Sequence, residues 1–90
     1  MKGRVMTRIY VGGVSFSMSN DGLRQLFAEV GVVESAALTT DIGTGHSRGY
    51  GFVEMASAEA AAAAVKKLHR HEQLDGRRLT VHLATASSGR

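Results

Sequence analysis

The chain has 90 residues, no cysteine and a formal net charge of +3, from 11 lysines and arginines against eight aspartates and glutamates. This length suffices for one small domain, and the lack of cysteine excludes disulfides and thiolate metal sites and favours a reducing compartment. Because the N-terminus, MKGRVMTRIYVGG, lacks the apolar run of a secretory signal and no stretch has the length of a membrane span, we predict a cytoplasmic protein that does not enter membranes, or a nuclear one if the source is eukaryotic.

The first predicted strand covers residues 8–14, RIYVGGV, a β-branched and aromatic run that ends in glycines. Side chains alternate between the two faces of a strand. Ile9 and Val11 therefore share one face, and the ring of Tyr10 shares the other face with the charge of Arg8.

A helix is predicted to follow, with Ser19 as its N-cap, Val30 as its last residue and Gly31 as its stop. Its apolar residues have the i, i+3, i+4, i+7 spacing of a buried stripe. They are Leu23, Leu26, Phe27 and Val30.

Two further strands are predicted at residues 32–40, VVESAALTT, and residues 48–55, RGYGFVEM. The polar, glycine-containing loop between them, DIGTGHS, indicates that they form a hairpin.

The third strand carries its aromatic rings on the polar side. Alternation gives one face with a guanidinium at the start and a carboxylate at the end, consisting of Arg48, Tyr50, Phe52 and Glu54. Burying an unpaired charge is very costly, so this face is predicted to lie toward solvent, and the face of Val53 and Met55 toward the core.

A second helix is predicted after the N-cap Ser57, with a stripe of small and apolar residues. The stripe consists of Ala61, Ala64, Val65 and Leu68. Gly49 and Gly51 are expected to offer a flat patch beneath this helix.

The last strand is predicted at residues 78–84, RLTVHLA, after the turn pair Asp75-Gly76. Alternation buries three of its side chains, Leu79, Val81 and Leu83. The others face solvent: Arg78, Thr80, His82 and Ala84.

This order of elements predicts an α+β fold, a ferredoxin-like βαββαβ sandwich. Because each helix has one apolar stripe, both should cover the same face of a four-stranded antiparallel sheet and leave the other face open. We expect a domain over residues 8–84, a flexible N-terminal segment over 1–7 and a polar C-terminal tail over 85–90.

Two segments resemble the sequence motifs of the RNA recognition motif family. Residues 48–55 fit seven of the eight positions of its octamer (basic, Gly, aromatic, Gly or Ala, aromatic, aliphatic, any, aromatic), and Met55 is the departure. Residues 9–14, IYVGGV, resemble its hexamer on the first strand, with Gly13 where many members have asparagine. The resemblance extends over residues 8–84.

The resemblance implies that the chain binds single-stranded RNA. Tyr10 and Phe52 would each stack a base, Tyr50 would lie between them, and Arg48 would contact a phosphate. The mild basic charge suits such a polyanionic partner. Three more residues of the open face complete the predicted site: Arg8, Thr80 and His82.

Other functions are less well supported by the residues. The aromatic face is also suited to binding a protein partner or single-stranded DNA. An acylphosphatase-like enzyme would need an arginine in the loop after the first strand, and residues 14–18, VSFSM, contain none.

No metal or cofactor is expected either. His69 and His71 are predicted to lie in a loop remote from His46 and His82, without an acid or thiolate at ligand spacing. We therefore predict a monomeric binding module with no catalytic activity.

Overall fold

The computed structural model describes residues 7–45, 47–73 and 76–84. The predicted tail and nearly all of the predicted N-terminal segment lie outside the described residues. The elements follow the predicted order: β1 (Arg8–Gly12), α1 (Asn20–Ala28), β2 (Val33–Thr40), β3 (Ser47–Met55), α2 (Ala58–Leu68) and β4 (Thr80–Leu83).

The four strands form one sheet in the order β2-β3-β1-β4, and all neighbouring strands are antiparallel. Side chains of α1 and α2 share a single core with one face of this sheet. The predicted ferredoxin-like βαββαβ fold is therefore confirmed. The sheet face opposite the helices is called the open face below.

Both helices begin at the predicted caps. The Ser19 hydroxyl accepts a hydrogen bond from the amide of Gly22 at 2.9 Å, and the Ser57 hydroxyl accepts one from Ala60 at 3.0 Å. Each serine thereby satisfies an amide that has no partner within its helix. Neither α1 nor α2, nor any other helix in the described ranges, is long and apolar enough to cross a membrane.

The core follows the predicted apolar faces in the main, although Leu26, Val30 and Val65 of the helix stripes are only partly buried. Ile9, Val11, Val53 and Val81 are at most 1% exposed. Leu83 was expected among them, but it is 36% exposed because it is the last residue of the edge strand β4, flanked by a neighbouring strand on one side alone.

β1 ends two residues earlier than predicted because of Gly13. This residue has φ +68°, and a Cβ at this position would lie 2.6 Å from the carbonyl oxygen of Arg78. Arg78 forms an isolated antiparallel β-bridge with Glu72 instead of pairing with β1. The pairing of β4 with β1 therefore starts at Thr80.

Gly49 and Gly51 were expected to form a flat patch beneath α2, and this expectation was wrong: the atoms nearest to a Cβ at either position belong to other segments. A Cβ on Gly51 would collide with the backbone of β2, at the carbonyl oxygen of Ala37. The close approach of α2 occurs instead at Gly31, where a Cβ would lie 2.9 Å from the Cβ of Ala60.

Candidate nucleic-acid interface

Three aromatic rings form a continuous surface on the open face. Tyr10 of β1 lies directly opposite Phe52 of β3, and their ring centroids are 5.8 Å apart. The ring of Tyr50 is 5.9 Å from that of Tyr10 and 6.3 Å from that of Phe52. The sequence prediction that these rings share the open face agrees with this arrangement.

The orientation of Tyr10 depends on Gly12, its neighbour on the same face. A Cβ on Gly12 would lie 2.6 Å from the Tyr10 hydroxyl oxygen and 2.9 Å from a ring carbon. The tyrosine ring therefore lies along β1 over a position that has no side chain.

Charged groups border the rings at the start of β1. The guanidinium carbon of Arg8 lies 4.6 Å from the centroid of the Phe52 ring, a cation–π contact. Glu54 lies opposite Arg8 across the strands and accepts a hydrogen bond from the hydroxyl of Thr7. Arg8 is exposed, so its charge reaches solvent beside the ring of Phe52.

Strand alternation predicts Arg48 on the face of Tyr50 and Phe52, but β3 is irregular beside this residue. The register between β2 and β3 shifts between Leu38 and Thr40, and Gly49 has φ +86°. Regular alternation therefore runs from Tyr50 to Glu54 but does not extend through Gly49. Arg48 is exposed at the start of β3, and its role in binding stays a prediction.

β4 adds an imidazole to the ring surface. His82 lies opposite Tyr10, with centroids 6.5 Å apart and planes inclined by 12°. Thr80 lies opposite Gly12 and is partly buried. Both predicted side chains thus belong to the strand that flanks the ring of Tyr10.

Comparison with known families decides what kind of domain carries this surface. The model of the family described as RNA recognition motif matches residues 9–80. The chain belongs to the RNA recognition motif family.

Relatives of this RNA recognition motif include RNA-binding protein 38 of Gallus gallus, which is 42% identical over 83 residues. The match covers 92% of the chain but 38% of that relative, so the chain spans little more than a third of its length. Among solved structures, RNA-binding protein PG1 is 40% identical with a TM-score of 0.82, and the match covers 87% of the chain and 93% of PG1. The Rna15 RRM with bound RNA (GU) is 29% identical with a TM-score of 0.77, and the match covers 87% of the chain and 82% of the chain in that structure.

The fold of this RNA recognition motif also brings together two histidines that were predicted to lie far from each other. The ring of His69 lies 5.4 Å from that of His82, so the prediction that His69 is remote from it was wrong. His69 accepts a hydrogen bond from the amide of Val81 through Nδ1, because the end of α2 folds back beside β4. The described residues contain no group of three His, Cys, Asp or Glu side chains placed to hold a metal ion.

Sequence reasoning missed two residues at the end of this RNA recognition motif's sheet. Phe16, in the loop between β1 and α1, is 65% exposed, and the guanidinium carbon of Arg77 lies 4.6 Å from its ring centroid. The two residues are far apart in the chain, so no spacing could join them. The one indication in the sequence was a phenylalanine among serines, outside any apolar stripe.

Proposed function

We propose that this RNA recognition motif binds single-stranded RNA on its open face, by base stacking and phosphate contacts and without catalysis, in RNA metabolism. Tyr10 and Phe52 each stack one base, and Tyr50 contacts a neighbouring base or sugar. The charges of Arg8 and Arg48 attract the phosphate backbone of the RNA. Thr80 and His82 contact the RNA from β4, beside Tyr10.

One observation carries this proposal. The three rings lie on two adjacent central strands with centroids between 5.8 and 6.3 Å apart. Neighbouring bases of a splayed single strand can each meet a ring at such a spacing, and each stack contributes about 1–3 kcal/mol. The RNA held in the solved structure of the Rna15 RRM supports the same use of this fold.

The expected affinity of the isolated domain is modest. Two or three stacked bases and a few phosphate contacts correspond to a Kd of roughly micromolar, within about tenfold. We propose residues 8–84 as the binding unit, acting as a monomer. Stacking does not read the 2′-hydroxyl, so single-stranded DNA is expected to bind as well.

Fluorescence anisotropy with a short, labelled, random-sequence RNA tests the proposal. The wild-type chain is compared with Phe52→Ala and Tyr10→Ala at two salt concentrations. Each substitution should weaken binding by about 1–3 kcal/mol because it removes one stacking platform. Val32→Ala is the matched control, since Val32 is 69% exposed and lies outside the ring surface.

Thermal unfolding of each variant shows that the fold is retained. If a folded Phe52→Ala and a folded Tyr10→Ala bind RNA as tightly as the wild type, the aromatic face is not the RNA site. If the wild type binds no RNA at tens of micromolar protein, a protein partner for this face becomes the better hypothesis.

A further inference from the structure

A hollow of about 260 Å³ lies beside the ring of Phe52, between β2 and β3. Five of its lining residues form two cross-strand rows of the open face, since Ala37 lies opposite Phe52, and Ser35 and Arg8 lie opposite Glu54. Ala37 has a single methyl group, so β2 leaves the space next to the ring unfilled. The hollow is therefore continuous with the ring surface through Phe52.

The carboxylate of Glu54 borders this hollow with one oxygen in use and one available. Its Oε2 accepts a hydrogen bond from the hydroxyl of Thr7. Within the part of the chain that the structure describes, no group donates to its Oε1. Arg8 lies opposite Glu54, but its guanidinium covers the ring of Phe52 instead of forming an ion pair with this carboxylate. Glu54 is partly exposed, so a ligand in the hollow can reach it.

A carboxylate on a surface that binds RNA is unfavourable in itself, because it repels every phosphate that approaches. It can nevertheless select a base. A carboxylate only accepts hydrogen bonds, so it favours a base edge that presents N–H groups.

The four bases differ in the donors on their pairing edge. Uracil presents one N–H between two carbonyls, and adenine and cytosine each present one amine beside an acceptor nitrogen. Guanine presents two adjacent donors, N1–H and the 2-amino group, which match the two oxygens of a carboxylate. Guanine is therefore the base that suits Glu54 best.

We propose that the hollow beside Phe52 is a guanine-selective subsite, in which Glu54 accepts hydrogen bonds from N1–H and the 2-amino group of the base. The subsite rests on the proposed RNA binding of the open face and deepens it. The guanine stacks on Phe52 in place of the Arg8 guanidinium, which is then free to pair with a phosphate. The hydroxyl of Ser35, opposite Glu54, offers a further hydrogen bond to the base edge.

The test is fluorescence anisotropy of the whole chain with a short oligouridine and with the same RNA carrying one central guanine, adenine or cytosine. Wild type should bind the guanine RNA roughly tenfold more tightly than oligouridine, with the adenine and cytosine RNAs in between. An RNA with inosine in place of guanine lacks only the 2-amino group. It should bind wild type roughly threefold more weakly than the guanine RNA does.

Glu54→Gln tests the residue that reads the base. Glutamine has nearly the same shape and keeps an acceptor oxygen for the hydroxyl of Thr7, but it replaces the other oxygen by a donor. The variant should prefer guanine over uracil or inosine by about twofold at most, and it should bind oligouridine at least as tightly as wild type because a negative charge is removed. A merely structural role of Glu54 would not change the preference between bases.

Glu29→Gln is the matched control. Glu29 is exposed at the end of α1, on the helix side of the sheet, and undergoes the same change of charge away from the open face. This variant should keep the full preference for guanine. Thermal unfolding shows that both variants retain the fold.

The outcomes separate this subsite from the function on which it rests. If Glu54→Gln keeps the guanine preference of wild type, or if wild type binds the adenine or cytosine RNA as tightly as the guanine RNA, the guanine subsite is refuted. If wild type shows no preference between bases while Phe52→Ala weakens binding of every RNA, the subsite fails and RNA binding on the open face stands. If wild type binds none of the RNAs, both proposals fail.

Discussion

At the residue scale, two adjacent glycines in β1 and its following turn serve different purposes. Gly12 has no Cβ because the ring of Tyr10 occupies that space on the open face. Gly13 takes a left-handed conformation, and its missing Cβ makes room for the backbone of Arg78. The first glycine therefore shapes the candidate site, whereas the second is required for the chain to turn.

Replacing each glycine by alanine should separate these roles. Gly12→Ala should displace the movable Tyr10 ring, weaken RNA binding by about 1–3 kcal/mol and change the free energy of unfolding little. Gly13→Ala should lower the free energy of unfolding by about 1–2 kcal/mol or more, because alanine is strained at positive φ and the neighbouring atom is backbone. Urea denaturation and anisotropy measure the two quantities. Equal destabilisation by both substitutions, with no loss of binding for Gly12→Ala, would contradict this assignment.

At the element scale, α2 combines a small buried surface with a serine cap at its start. Its buried residues are Ala61, Ala64 and Leu68, and two of these three side chains are single methyl groups. These small side chains permit close packing, as the approach of Ala60 to Gly31 shows. They also contribute little hydrophobic area, so the hydrogen bond from Ala60 to the hydroxyl of Ser57 is a substantial part of what holds the helix start.

Removing this cap should be measurable. Ser57→Ala should lower the free energy of unfolding by about 1 kcal/mol, which corresponds to roughly 4–8 °C in Tm for a domain of this size. Ser57→Asp is the control, because aspartate also caps helices and its charge suits a helix N-terminus. Thermal unfolding followed by circular dichroism gives the comparison. A Tm loss of the same size in both variants would show that the cap is not the cause.

At the scale of the whole molecule, strand order decides where the rings meet. β1 and β3 are the two central strands, so Tyr10 and Phe52 lie side by side in the middle of the open face. The edge strand β4 adds His82 beside Tyr10, and the net charge of +3 favours approach of an anionic strand. Stacking groups and charged groups thus occupy different places, and their contributions to binding should be separable.

Salt dependence separates them. If Arg48 contacts one phosphate, Arg48→Gln should reduce the slope of log K against log salt by about 0.7. The variant neutralises one phosphate fewer, so fewer counterions are released from the RNA when it binds. Phe52→Ala should lower affinity at every salt concentration without changing the slope. Anisotropy titrations over a series of salt concentrations measure both. An unchanged slope for Arg48→Gln would remove Arg48 from the predicted site.

The fold and the ring surface were predictable because they depend on local pattern. Strand alternation placed Tyr10, Tyr50 and Phe52 on one face, and the cap residues Ser19 and Ser57 marked both helix starts. Each of these features depends only on residues a few positions away in the chain. The sequence by itself therefore determined the element order, the buried stripes and the aromatic face.

The tertiary structure alone decided the contacts between distant segments. Phe16 meets Arg77, and His69 meets His82, because loops and strand ends converge at the rims of the sheet. The break in strand alternation beside Arg48 likewise comes with a register shift between β2 and β3 and the positive φ of Gly49. Periodicity describes which face of an element is apolar, but it contains no information on which loops pack together or where two strands slip out of register, since those depend on the packing of the whole chain.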